Sequence, residues 1–184
     1  RLGGTPLPER VAGSTITAVL AERAAAEGRS LYLLGGDPGA AEGCRAEPER
    51  RHPALRAVCT SSPWASNPAT VHEIDEIEAE IREAAGEGGV PDVILVGLGS
   101  PKQEYVIQKL KQRFPRAWLM GVGISFGFLA GQVERAPEWM QRAGVEWVHR
   151  MTQDPKRLVR RYLIDDLPFA AWLFADALRA RFRR

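Results

Sequence analysis

Two stretches of this 184-residue chain, Leu31-Tyr32-Leu33-Leu34 and Val93-Ile94-Leu95-Val96, are apolar at every position rather than at every second one. A strand with one wet face alternates. A strand with no polar position is covered on both faces, which is the habit of parallel sheets. Leu55 to Cys59 and Ala117 to Val122 read as two further strands, and helical patterns separate all four. Strand and helix in alternation predict an α/β fold, a Rossmann-like parallel sheet with helices on both faces and right-handed crossovers.

The helix boundaries follow from caps and breakers. Ser14 is placed to cap a helix over 15–27 that turns Ile16, Val19, Leu20 and Ala24 inward and stops at Gly28. Asp37-Pro38 opens a second helix, which Pro48 limits. Asn67-Pro68 opens a third, with Val71, Ile74, Ile77 and Ile81 on one stripe. Ser100-Pro101 opens a fourth, with Val106, Ile107 and Leu110 inward. After Gly131 no strand pattern returns; helical starts stand at Ala136-Pro137, Asp154-Pro155 and Leu167-Pro168. The expected organisation is an α/β body over 1–135 and a helical C-terminal appendage over 136–184.

Parallel sheets bind ligands outside the carboxyl ends of their strands. Three glycine turns are expected there: Gly35 to Gly39, Gly97 to Gln103, and Gly121 to Ser125. Glycine lets a backbone approach an anion, and helix N-terminal amides attract negative charge. Each turn alone is also ordinary strand-to-helix chemistry, and none is a Walker A loop or a full GxGxxG fingerprint. That missing fingerprint, with no acidic partner about 20 residues on, speaks against a dinucleotide enzyme. Ser100 and Gln103 fit a capping box, which would account for both without a ligand. Lys102 runs against the helix dipole in a first turn, so it points to an anion or a carboxylate. His52, His72 and His149 are scattered, and Glu73, Glu76, Glu78, Glu80 and Glu83 read as solubility charge on a helix face. No pair of carboxylates stands out by spacing as an acid/base dyad.

The net charge of +2 hides an asymmetry. From Trp147 to the last residue there are nine Lys and Arg against four Asp and Glu, and six of the fourteen aromatic side chains. Basic residues beside aromatics on amphipathic helices suit an anionic membrane surface; aromatics packed on the body under solvated arginines would look the same in sequence. Low total charge and the lack of a reader motif exclude nucleic acid as the expected partner. Leu167 to Ala175 is too short to span a bilayer, which takes about 20 residues. Cys44 and Cys59 form no metal-site spacing and no disulfide framework, and no signal peptide is visible, so a cytoplasmic setting is expected.

Taken in order, the motifs resemble those of the WecG/TagA/CpsF glycosyltransferases, which include N-acetylmannosaminyltransferases. The matching stretches begin with Pro8-Glu9-Arg10-Val11-Ala12-Gly13, Gly35-Gly36-Asp37-Pro38-Gly39 and Val96-Gly97-Leu98-Gly99-Ser100-Pro101-Lys102-Gln103-Glu104. They continue with Gly121-Val122-Gly123, Phe128-Leu129-Ala130-Gly131 and Arg135-Ala136-Pro137-Glu138-Trp139-Met140. The last are Glu146-Trp147-Val148-His149-Arg150, Gln153-Asp154-Pro155-Lys156-Arg157 and Arg160-Arg161-Tyr162-Leu163. The resemblance implies an inverting transfer, with no metal or other cofactor, of an N-acetylmannosamine-like sugar or related hexose. The donor would be a UDP-sugar and the acceptor a polyprenyl-diphosphate-linked one. The setting would be the inner face of the cell membrane, with the chain peripheral there and homo-oligomerisation left open. It implies substrate contacts at Arg10 and Gln103, to which the glycine turns and the first turn of the fourth helix add Gly36, Gly97, Gly99, Lys102 and Gly123. It also implies a diphosphate-closing lid that carries Arg150, Arg157 and Arg160.

The chain departs from the family pattern in three places. The family's general-base aspartate belongs to a segment ahead of Arg10 that this sequence does not carry, so no catalytic residue is assigned. Gly127 stands where many members have aspartate. Around Ser62-Pro63-Trp64 the family's GYF motif is replaced, and Trp64 is the candidate to stack on uracil instead. The second expectation is accordingly a catalytically inactive nucleotide-binding or membrane-docking remnant of the family.

Overall fold

The computed structural model describes residues 12–53, 55–59, 65–86, 90–160, 164 and 166–182. The first elements are α1 (Gly13–Ala26), β1 (Ser30–Gly35), α2 (Ala40–Arg51), β2 (Arg56–Cys59), α3 (Val71–Ala85) and β3 (Val93–Gly97). They are followed by α4 (Lys102–Arg113), β4 (Trp118–Gly121) and α5 (Ser125–Leu129). Then come α6 (Glu138–Ala143), α7 (Glu146–Gln153), α8 (Pro155–Arg160) and α9 (Leu167–Phe182). The chain separates after Glu134 into two compact units.

In the first unit the four strands form one parallel sheet in the order β2-β1-β3-β4. Successive side chains of a strand point to opposite faces, so the continuous apolar runs supply two cores at once. Tyr32, Leu34, Ile94 and Val96 pack with Ile74, Ile77 and Ile81 of α3 and Val106 and Leu110 of α4. Leu31, Leu33 and Leu95 pack on the opposite face with Ala21 and Ala24 of α1, Ala40, Ala41 and Cys44 of α2, and Phe126 of α5. The α/β reading, with helices covering both faces, therefore stands.

Four helix expectations need correction. Ser14 does not cap α1 but is buried inside it, and Ala12 holds the N-cap position without a side-chain cap. The buried positions of α1 are Ser14, Thr17, Ala21 and Ala24, while Val19 is 49% exposed. Close approach explains the rotation: a Cβ on Gly13 would stand 3.0 Å from the Val122 carbonyl oxygen, so only a small-residue face fits. Thr17 can be buried because its hydroxyl donates to the Gly13 carbonyl at 2.8 Å. Pro48 does not limit α2 but sits within it, where it forfeits the N–H bond that its position would otherwise make four residues back. The third helix begins at Val71 rather than at Asn67-Pro68, and Val71 itself is exposed.

The reason is a capping box. The Thr70 hydroxyl accepts from the Glu73 N–H at 3.3 Å, and the Glu73 carboxylate accepts from the Thr70 N–H at 2.6 Å. The same carboxylate also accepts from the Ser66 N–H at 3.1 Å and the Ser66 hydroxyl at 2.7 Å. Glu73 is thus a cap and not merely solubility charge. Donors converging on a carboxylate favour its ionised form, and the Ser66 hydroxyl and Thr70 N–H are the chief ones that lower the Glu73 pKa to about 2.

At the amino edge of the sheet a second carboxylate fastens β1 to β3. Asp92 accepts from the Ser30 N–H at 2.8 Å, the Ser30 hydroxyl at 2.9 Å and Arg29 Nη1 at 3.0 Å. The Ser30 hydroxyl in turn accepts from the Asp92 N–H at 2.9 Å. The Ser30 backbone donor, more than any other group, holds Asp92 below the usual carboxylate range.

In the second unit α7 packs on α8, Leu158 is buried, and Gln141 Nε2 donates to the Ala136 carbonyl at 2.6 Å. α9 leaves Leu167, Phe169, Trp172, Leu173 and Phe174 exposed. Among the described residues no helix is long and apolar enough to cross a membrane.

A depressed carboxylate stabilises the fold fully above its unfolded pKa, and that contribution is lost as pH falls through its folded pKa. For Glu73 the window runs from 4.5 down to about 2. Urea unfolding of the wild-type chain and of Glu73→Gln should differ by a constant amount above that window and converge within it. A gap that stays constant to the bottom of the window would remove the cap from the stability account.

Candidate functional site

The strand order sets the site. From β1 the chain moves outward to β2, then crosses to β3 on the other side of β1. The turn after β1 leads to α2 on one face, and the turn after β3 leads to α4 on the other. Such a reversal opens a crevice between the two carboxyl ends. Registers align the exits: Gly35 lies opposite Gly97, and Val96 opposite Gly121. The three glycine turns therefore leave side by side.

Their glycines do two different things. A Cβ on Gly97 would stand 2.8 Å from both Cδ2 and Cε2 of Phe126 and 3.1 Å from the Gly123 carbonyl oxygen. One on Gly36 would meet the Ala40 Cβ at 3.1 Å and Phe126 Cδ2 at 3.2 Å. The fully buried Phe126 ring is thus wedged where β1 and β3 end, and these glycines make room for it. Gly99 and Gly123 differ. Both have left-handed backbones, with φ of 75° and 56°, and a Cβ on either would meet nothing within 4 Å. These two expose bare backbone to open space beside the start of α4.

Gln103 does not form the capping box with Ser100. Its N–H donates to the Gly99 carbonyl at 2.9 Å, so the donor that the Ser100 hydroxyl would need is taken. Pro101 occupies the N-cap position without a side-chain cap, and the Gln103 side chain turns inward, 8% exposed. Its Oε1 accepts from the Gly123 N–H at 3.0 Å, and its Nε2 donates to Glu104 Oε1 at 2.9 Å. Leaving a buried polar group unpaired costs roughly 1–3 kcal/mol, and both ends of this carboxamide are paired. Lys102 is partly exposed and has no ion-pair partner among the described residues. A second glutamine holds the turn after β1: Gln132 Nε2 donates to the Pro38 carbonyl at 3.1 Å. Gly127 is buried, and a Cβ there would meet Val133 Cγ2 at 3.1 Å and Ile124 Cγ1 at 3.7 Å. An aspartate at 127 would enter aliphatic surroundings here.

Gly36, Gly97, Gly99, Lys102, Gln103 and Gly123 are brought together at one sheet edge. Arg10 and Trp64 lie outside the described residues, as does the side chain of Arg157. Arg150 is a half-buried residue of α7 and Arg160 an exposed one of α8, both in the second unit. Sequence reasoning missed Phe126 and Gln132. Nothing local marks either, since Phe126 meets Gly36 from ninety positions away.

The sheet order and the turns at its carboxyl edge define an α/β protein of the Rossmann-like class, with its crevice between β1 and β3. Residues 1–183 match the model of the Glycosyl transferase WecG/TagA/CpsF family, and the chain belongs to that family.

The wedge makes a measurable claim. Gly97→Ala should lose roughly 1–3 kcal/mol of stability in urea unfolding, the usual scale of overpacking, and Phe126→Leu on that background should recover part of it. Gly99→Ala has no clash and should lose only the roughly 1–2 kcal/mol of a left-handed non-glycine residue. Failure of Phe126→Leu to relieve Gly97→Ala would show that the ring is not what demands the glycine.

Proposed function

We propose that the chain transfers a sugar, N-acetylmannosamine-like or a related hexose, from a UDP-sugar to a polyprenyl-diphosphate-linked acceptor. The reaction inverts the anomeric centre and serves the synthesis of a cell-wall or surface polysaccharide. Family membership supports glycosyl transfer. The observation that carries the donor reading is the pair of unobstructed left-handed glycines, Gly99 and Gly123, beside the first turn of α4 and Lys102, which has no ion-pair partner among the described residues. Backbone without side chains can approach a diphosphate closely, and helix N-terminal amides favour its charge.

The acceptor hydroxyl oxygen attacks the anomeric carbon opposite the leaving diphosphate. The bond from that carbon to the phosphate oxygen breaks, UDP departs with the electron pair, and a general base takes the hydroxyl proton. The reading uses no metal, so cationic side chains stabilise the charge that develops on UDP. Arg150, Arg157 and Arg160 supply it, with Arg10 and Lys102 on the donor. Trp64 stacks on uracil.

The exposed apolar surface of α9 supports docking on anionic lipid at the inner membrane face. Trp172 is 60% exposed, and it stacks on Phe169 with ring centroids 6.0 Å apart. Contiguous exposed apolar surface marks interaction sites, and the basic residues upstream suit anionic headgroups.

Calorimetric titration with UDP and a panel of UDP-sugars tests the donor class; silence across the panel refutes it. Arg157→Ala should lower transfer by roughly 100-fold to 1,000-fold, the scale of one lost charge-stabilising donor. Lys at this position should restore only part, because an ammonium cannot make the bidentate pair. Wild-type rates for both variants would remove Arg157 from the site. Phe169→Glu with Trp172→Glu should abolish sedimentation with phosphatidylglycerol vesicles, and undiminished sedimentation would refute the docking role of α9.

A further inference from the structure

The Gln103 side chain lies between two segments that meet at the crevice, α4 and the turn after β4. Its carboxamide is buried and directs both polar ends at protein: Oε1 to the Gly123 N–H, Nε2 to Glu104 Oε1. It lies so close on Gly121 that a Cβ there would stand 2.8 Å from Nε2 and 2.9 Å from Cδ. Gly121 is glycine, then, because Gln103 occupies the space a side chain would need. The Gly123 N–H that Gln103 accepts belongs to one of the two open glycines, and the Gln103 N–H is bonded to the carbonyl of the other, Gly99. A single residue thereby ties both open glycines, one through its main chain and one through its side chain.

We propose that Gln103 is a positioning residue, whose carboxamide fastens the turn after β4 to the first turn of α4 and so fixes the Gly99–Gly123 spacing that a nucleoside diphosphate meets. It acts through Gly123 rather than by touching the donor. This rests on the donor reading above. It differs from a substrate contact in a way that can be measured, because a clamp exists before any ligand arrives and depends equally on Gly121.

The test combines hydrogen exchange of the ligand-free chain over residues 121–125 with calorimetric titration by UDP. Gln103→Ala should speed exchange at Gly123 and weaken UDP binding, each by roughly tenfold, the worth of one buried hydrogen bond. Gly121→Ala displaces the carboxamide from the other side and should give the same two changes. The double variant should then be little worse than either single one, as for residues acting as one unit. Gln103→Glu keeps the size and the acceptor for Gly123 but sets a second carboxylate against Glu104. Its UDP binding should recover toward wild type as pH falls and the new carboxyl gains the proton that lets it donate.

Unchanged exchange in Gln103→Ala would overturn the clamp. Faster exchange with unchanged UDP affinity would overturn its role in binding. Additive losses in the double variant would favour direct contact with the donor and overturn the positioning role. If the unaltered chain itself does not bind UDP, the donor reading falls and takes this inference with it; that outcome differs from the others because the wild-type titration is silent.

Discussion

Two neighbouring parallel strands end on backbone without side chains, and one aromatic ring fills the space. Phe126 beneath Gly36 and Gly97 decides most of what stands at the carboxyl edge. Gly97, at the end of β3, costs roughly 0.5–1 kcal/mol relative to alanine, less than the roughly 1.5–3 kcal/mol that burying a phenylalanine returns, and Gly36, with φ of 94°, stands where glycine is favoured. The wedge is therefore a modest source of stability. Its consequence is geometric. It holds α5 against the ends of β1 and β3, which sets the preceding turn, Gly121 to Ser125, on Gln103 and brings Gln132 to the Pro38 carbonyl. The turns after β1 and β4 are thus each held by a glutamine carboxamide.

A run of glycines at strand ends looks uniform in sequence and is not uniform in space. Gly13, Gly36, Gly97 and Gly121 are small because another group occupies the volume: a carbonyl, a ring or a carboxamide. Gly99 and Gly123 are small for conformation and leave their surroundings empty. Only the second kind leaves the space beside its backbone open to a phosphate, and at Gly123 the N–H itself is held by Gln103 Oε1. The motif that reads as a phosphate cradle is, at most of its glycines, a packing solution that frames the two positions able to serve as one.

That division also explains what could be read from sequence. The parallel sheet was legible because continuous apolar runs such as Val93 to Val96 admit only a strand buried on both faces, and its carboxyl edge followed from topology alone. The inward stripes of α3 and α4 were legible for the same reason, since Ile74, Ile77, Ile81, Val106 and Leu110 repeat at helical spacing. What failed were choices between local patterns of similar strength. Ser100 with Gln103 and Thr70 with Glu73 both have capping-box spacing; the second forms one and the first does not, because the Gly99 carbonyl already holds the Gln103 N–H. The buried face of α1 was legible only at Ala24; Ser14, Thr17 and Ala21 escaped because they win by being small enough for close approach. Gln103 with Gly123 and Gln132 with Pro38 are pairings across 20 and 94 positions, and no local pattern announces such contacts.

The two edges of the sheet are fastened by different chemistry, and the difference bears on function. At the amino edge β1 and β3 are joined through the ionised Asp92; on the crossover that leaves the carboxyl end of β2, α3 is begun by the ionised Glu73. Both carboxylates are held below their ordinary range, so acid weakens these fastenings as it protonates them. At the turns after β1 and β4 the fastenings are a ring and two carboxamides, none of which titrates. Glu104 adds a further tie there by receiving a hydrogen bond from Gln103 Nε2. Falling pH should therefore loosen the amino edge and the α3 cap before it alters the crevice. Loss of nucleotide binding in acid would then track unfolding of the sheet, not titration of the elements that shape the crevice.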